Sequence, residues 1–231
     1  VGCGQCAAVC PTGAIIIKND SHRLWKELNQ EDTIAVAQVA PAVRVAVAKE
    51  FGYNGENVMG KIVAALRRIG FNYIFDTSTA ADLTVMEESK EFADRLANGG
   101  KLPLFTSCCP AWIKYAENEY PEILPNISTC RSPMQMFASV INEKFKGEGK
   151  KILSVAVMPC TAKKGEAARD EFKDENGKPL VDFVITTQEL IMMIKEAGIV
   201  FNEIEPEAVD MPFGTMTGAG VIFGVTGGVT E

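Results

Sequence analysis

Residues 151–171 read KILSVAVMPCTAKKGEAARDE. An apolar run from Lys151 to Met158 ends on Pro159 and Cys160, and a helix-compatible segment carrying Lys163, Lys164 and Glu166 follows. A short buried-strand pattern handing over to a helical one is the repeating unit of an α/β fold. The same hand-over recurs along the chain. TIAVAQVA (33–40), FNYIFD (71–76), LPLFTS (102–107) and FVITT (183–187) read as further strands. Helices are expected at Pro41–Phe51, Gly60–Ile69, Ala80–Leu96, Ala111–Asn118, Ser132–Phe145 and Gln188–Ala197. The alternation predicts an α/β domain with largely parallel sheets flanked by helices, whose ligand sites gather at the carboxyl ends of the strands.

Residues 1–20 are short, Cys- and Gly-rich and unlike the rest, residues 21–32 form a charged, helix-compatible connection, and the main domain occupies 33–231. With 231 residues, 47% hydrophobic and 23% charged, the chain can bury a sizeable core as one domain with a small attachment. A net charge of -7 without a Lys/Arg run argues against nucleic acid. No uninterrupted apolar stretch of about 18 residues occurs, so no membrane span is expected; even Thr33–Ala48 carries Gln38, Pro41 and Arg44. No signal peptide is visible, although Val1 is not an initiator Met.

The seven cysteines stand at 3, 6, 10, 108, 109, 130 and 160. An odd, clustered set suits metal ligation in a reducing compartment better than disulfide stapling. VGCGQCAAVCP places Cys3, Cys6 and Cys10 in a C-x2-C-x3-C-P run, the last three positions of the bacterial ferredoxin pattern. Small residues between the ligands let backbone amides approach a cluster of iron and sulfide. The blander reading is a broken zinc knuckle, which does not require the Cys-Pro ending.

TSCCPAW (106–112) delivers adjacent cysteines to the end of the expected LPLFTS strand. Side chains alternate on an extended backbone, so one can be a ligand while its neighbour stays a free thiol able to carry protons. Taken alone, such a pair is more often two small core residues. Cys160 ends the 151–158 strand in the same way, with Lys163 placed to offer a compact ammonium to an anionic ligand. A solvated helix start is the plain alternative for Lys163 and Lys164.

Together, TSCCPAW and MPCTAKKGEAARDE resemble the first two signature motifs of the FeFe (iron-only) hydrogenases, and the amino-terminal run resembles the end of their 4Fe-4S ferredoxin-type domain. The resemblance covers nearly the whole chain. It implies reversible reduction of protons to hydrogen at an H-cluster, a 4Fe-4S cubane joined to a two-iron unit carrying CO, CN and a dithiolate amine, fed by accessory 4Fe-4S clusters. It assigns Cys109 and Cys160 as cubane ligands and Cys3, Cys6 and Cys10 as accessory-cluster ligands. Cys108 becomes the unligated proton carrier. Lys163, Met158 and, with weaker alignment, Ala40 and Pro41 of QVAPAVR face the two-iron unit. A relay Glu91, Ser128, Glu88, Cys108 is implied by DLTVMEESKEF and the Ser-Thr-Cys run; its bland alternative is a solvated acidic face of Glu87, Glu88 and Glu91. Cys130 and His22 are expected to be a small buried residue and a surface residue.

The implied partners are a ferredoxin or an NAD(P)-linked electron-transfer subunit and hydrogenase maturation proteins, in a cytoplasmic, reducing and anaerobic setting, with the periplasm left open. The family's third motif carries two more cysteines, and none follows Cys160 here. The glycine-rich GVIFGVTGG resembles the segment before that motif, so the chain is expected to be a fragment that by itself neither holds the active centre nor evolves hydrogen. Competing readings are a hydrogenase-like iron-sulfur assembly or scaffold protein and a hydrogen sensor.

Overall fold

The computed structural model describes residues 1–211. Its centre is a four-stranded, wholly parallel sheet of β1 (Thr33–Val39), β2 (Tyr73–Asp76), β3 (Lys151–Met158) and β4 (Phe183–Thr186), in the order β2-β1-β3-β4. The helices are α1 (Gln5–Ala8), α2 (Ser21–Leu28), α3 (Val43–Glu50), α4 (Met59–Ile69), α5 (Ser78–Asn98), α6 (Pro110–Glu119), α7 (Pro133–Lys144), α8 (Ala162–Ala167) and α9 (Thr187–Glu196).

The sheet is covered on both faces, which is why its strands read as nearly continuous apolar runs. Along β1, Ala35, Ala37 and Val39 turn into a core shared with α3, α4 and α9, whereas Val36 meets Phe75, Phe137 and Ile141 on the opposite face beside α5 and α7. Gln38, near the carboxyl end of this central strand, is fully buried and satisfied: its Nε2 donates to the Met134 carbonyl at 3.0 Å.

Pairing starts at Thr33↔Lys151 and ends at Val39↔Val157, after which the Ala40 N–H still donates to the Val157 carbonyl at 3.0 Å. The strand order reverses between β1 and β3. In open parallel sheets ligands bind in the crevice beyond the carboxyl ends at such a switch point, and here Ala40 and Pro41 follow β1 while Pro159 and Cys160 follow β3.

The expected LPLFTS strand does not join this sheet. Residues 102–107 make a single parallel bridge, Phe105↔Ile127, in which the Phe105 N–H donates to the Asn126 carbonyl and the Ser128 N–H to the Phe105 carbonyl. Pro103 lacks an N–H to contribute to a ladder, and the following run is too short to compete. Only Cys160, then, follows a strand of the sheet; Cys109 instead caps α6, whose first residue is Pro110. The helix expected from Pro41 begins at Val43, and FVITT gives up Thr187 to α9, because Thr186 forms a reciprocal capping box with Glu189. GVIFGVTGG lies outside the described residues.

Candidate active site

Three segments converge around the loop that carries the paired cysteines. The bridge between Phe105 and Ile127 is continued by the Ser107 hydroxyl, which donates to the Cys130 carbonyl at 2.6 Å, so residues 105–108 run beside 126–130. α5 lies across both and presents Glu88 and Glu91, one turn apart.

Ser128 is buried, and its hydroxyl donates to Glu91 Oε2 at 2.7 Å. Glu91 also accepts the Thr129 N–H and pairs with Arg95 at 2.6 Å. Burial alone would raise the Glu91 pKa, but the bonds from Ser128, Arg95 and Thr129 hold it below its ordinary value. Glu88 differs. Burial pushes its pKa up, against the Ser107 N–H and the Ser128 hydroxyl that face it, and its Oε1 is buried with no hydrogen-bond partner among the described residues. Burial likewise pushes the Cys108 thiol up, opposed by the positive charge of Lys163 and reinforced by the negative charge of Glu88. The structure therefore places Ser128 in hydrogen-bond contact with Glu91, with Glu88 near Ser128 and Cys108 near Glu88. Of the acidic face considered above, only Glu87 is exposed.

Cys109 and Cys160 lie close enough for a charge on the first to act on the second. The Trp112 N–H reaches Cys109 Sγ at 3.4 Å, which suits a sulfur that carries charge. Burial raises the Cys160 pKa, the N–H groups of Ala162 and Lys163 oppose it, and a charge on Cys109 would raise it further. Cys10, on the exposed amino-terminal segment, is held down to about 7 by N–H groups of Ile15, Thr12 and Ala14 and by the Thr12 hydroxyl. Half-buried thiols whose sulfurs receive backbone N–H groups are a donor set that fits iron-sulfur clusters. Cys3 and Cys6 lie exposed beside Cys10. Among the described residues, no three His, Cys, Asp or Glu side chains are drawn into one cation site.

Lys163 is not at a solvated helix start. Its side chain is 11% exposed, and its ammonium donates to the Cys108 carbonyl at 2.8 Å and to Glu166 Oε2 at 2.6 Å. Lys164 is equally enclosed, between Asp20 and Glu189. Met158 is buried at the end of β3, and Ala40 and Pro41 line the switch point. Cys130 is half-buried rather than buried, its thiol 3.8 Å from Glu91 Oε2. His22 is exposed, as expected. Sequence reasoning assigned no role to Arg95, Glu166, Asp20 or Glu189. The first two stand four and three residues from Glu91 and Lys163, a spacing that signals a helical ion pair.

The iron-only hydrogenase large subunit, C-terminal domain, matches residues 33–231, and the 4Fe-4S binding domain matches residues 1–16. The chain belongs to the iron-only hydrogenase large-subunit family. Family membership brings the H-cluster and 4Fe-4S clusters as its cofactors. The chain is 47% identical over 240 residues to the NADP-reducing hydrogenase subunit HndD of Solidesulfovibrio fructosivorans, covering 99% of this chain and 41% of that protein. To iron hydrogenase 1 of Clostridium pasteurianum it is 43% identical, covering 96% and 39%. It is also 34% identical to the cytosolic iron-sulfur assembly component 3 of Bos taurus, covering 91% and 48%. A solved structure of apo FeFe-hydrogenase HydA1 from Chlamydomonas reinhardtii superposes with a TM-score of 0.77 at 37% identity, covering 87% of this chain and 53% of the other. This chain thus spans about two fifths of the length of the two hydrogenase relatives named.

Proposed function

We propose that this chain contributes the proton-handling side of a hydrogenase that interconverts protons and molecular hydrogen. The observation that carries the reading is the line of groups Glu91, Ser128, Glu88 and Cys108. An H-cluster held by Cys109 and Cys160 would supply the redox chemistry, with electrons passed through 4Fe-4S ligands Cys3, Cys6 and Cys10. The chain's own residues do the rest. The Ser128 hydroxyl, bonded to Glu91 and facing Glu88, whose pKa burial raises, can take a proton from Glu91 while giving its own to Glu88, so a proton can be handed inward in single hydrogen-bonding steps. Cys108, also kept protonated, is the inner donor. Lys163 is steadied by Glu166 and the Cys108 carbonyl, leaving its ammonium to counter negative charge beside Met158, Ala40 and Pro41.

A ferredoxin or an NAD(P)-linked subunit is the proposed electron partner, with maturation proteins supplying the two-iron unit in a reducing compartment. No helix among the described residues is long and apolar enough to cross a membrane. In the full-length protein, Cys108→Ser lowers hydrogen turnover about 100-fold or more, the scale of a lost proton donor, with iron content unchanged; wild-type turnover in that variant sinks the proton-donor role. The match to the Bos taurus assembly component favours a second reading, an iron-sulfur assembly or scaffold role. That role has no use for a relay, so a relay variant that leaves function untouched while cluster variants abolish it would favour assembly.

A further inference from the structure

None of residues 1–19 is buried, and α1 is four residues long. A segment without a core cannot hold its place by packing, so what fixes it must be polar and specific. Both of its ends are held by the same turn of chain. At one end, Thr161 Oγ1 donates to the Gly2 carbonyl at 2.8 Å. Gly4 follows with φ +85, and a Cβ there would lie 3.0 Å from the same hydroxyl, so the loop approaches Thr161 closely and needs glycine to do so. At the other end, the Asp20 carboxylate is 8% exposed and accepts Lys164 Nζ at 3.1 Å, while the Asp20 N–H donates to Glu189 Oε1 at 2.7 Å. Lys164 also donates to Glu189 Oε1 at 3.0 Å and to the Val184 carbonyl at 2.7 Å, which ties the pin to β4 and α9.

We propose that Thr161 and Lys164 are positioning residues that fix the amino-terminal cysteine segment against Cys160, so that the first turn of α8 sets the separation between an accessory cluster and the catalytic cubane. The inference rests on the cluster assignments made above. Thr161 follows Cys160 directly, and the Lys164 N–H donates to the Thr161 carbonyl at 3.1 Å, so both pins and the candidate ligand belong to one rigid turn. Electron tunnelling falls exponentially with distance, so a loosely held segment would spread the transfer rate over a wide range. The lysine doublet then divides its labour much as the cysteine doublet does: Lys163 faces Cys108, and Lys164 faces the connection.

The test uses the full-length protein loaded with 4Fe-4S clusters only, comparing wild type with Thr161→Val, Thr161→Ser and Asp20→Asn. Iron and sulfide content, amide hydrogen exchange over residues 2–10, and the magnetic dipolar coupling between the reduced accessory cluster and the cubane are measured. Thr161→Val keeps full iron content, speeds exchange over residues 4–9 about fivefold, as loss of one hydrogen bond implies, and broadens the coupling. Asp20→Asn does the same at residues nearer the connection, and Thr161→Ser restores wild-type values. Wild-type exchange and coupling in both Thr161→Val and Asp20→Asn overturn the proposal. An absent accessory-cluster signal in the wild type overturns the cluster assignment instead, and exchange alone still decides whether the segment is pinned.

Discussion

Glu88 is a carboxyl held partly out of water. Its Oε1 is buried without a partner among the described residues, and burial raises its pKa, with the nearby charge of Glu91 adding to the rise. A carboxyl whose folded pKa lies above its unfolded value contributes stability fully at pH below the unfolded value, about 4.3, and loses that contribution as pH rises through the folded value. Glu88→Gln has no such loss. The difference in melting temperature, variant minus wild type, is therefore expected to grow between about pH 4 and about pH 8, and thermal unfolding at the two ends measures it; a constant difference would mean that the carboxyl is solvated normally. Glu91 has the opposite sign, and its contribution fades as pH falls through its lowered value. The spacing of Glu88 and Glu91 was readable from the sequence because a helix puts such residues on one face. Arg95 and Glu166 stand at equally regular spacings, yet solvated ion pairs share that pattern. Only burial, 13% exposure for the Arg95 side chain and 5% for Glu166, separates a working pair from an ordinary one.

Helices with a full apolar stripe and a cap could be read to within about two residues, the usual disagreement at helix ends. α7 shows why. Ser132 accepts the Gln135 N–H and Pro133 takes the first helical position, where its missing N–H costs nothing. Gln135 is fully buried, so Ser132→Ala leaves a donor with no water to turn to. A loss of about 1 kcal/mol and a melting temperature lower by about 2–4 °C are expected, with calorimetry as the check; an unchanged melting point would show that the cap is dispensable. LPLFTS resisted the same reading because composition reports strand propensity but not which neighbour is within reach. Its hydrogen bonds go to the 126–128 turn, a pairing between two short stretches that no periodicity marks. α8, at six residues, is too short to show a stripe, and its two lysines looked like solvent-facing charges until the elements around them were in place.

At the scale of the molecule, Lys164 joins the connection, α8, β4 and α9 through one ammonium. Lys164→Met would leave the Glu189 carboxylate, 6% exposed, without its ammonium partner, and would leave Asp20, 8% exposed, with only Lys18 and Arg23 at its other oxygen. Removing one member of a buried ion group typically costs about 3–5 kcal/mol, so the midpoint of urea unfolding should fall sharply; a shift as small as that of a surface lysine variant would show the group to be solvated. The parallel topology is legible in the sequence because alternating strand and helix patterns leave few other solutions, whereas the strand order, which places the reversal between β1 and β3, is written in long-range pairing and not in any local pattern. That order also governs how the chain comes to exist. β1 leaves the ribosome more than a hundred residues ahead of its partner β3, since Thr33 pairs with Lys151. Until β3 arrives, β1 has only β2 beside it and one edge of a strand meant for the middle of the sheet stays open, and non-local pairings of this kind form slowly. Cys160 arrives directly after that strand, so the nascent chain can offer Cys109 and Cys160 together to an iron donor only once β1, β2 and β3 have all been made.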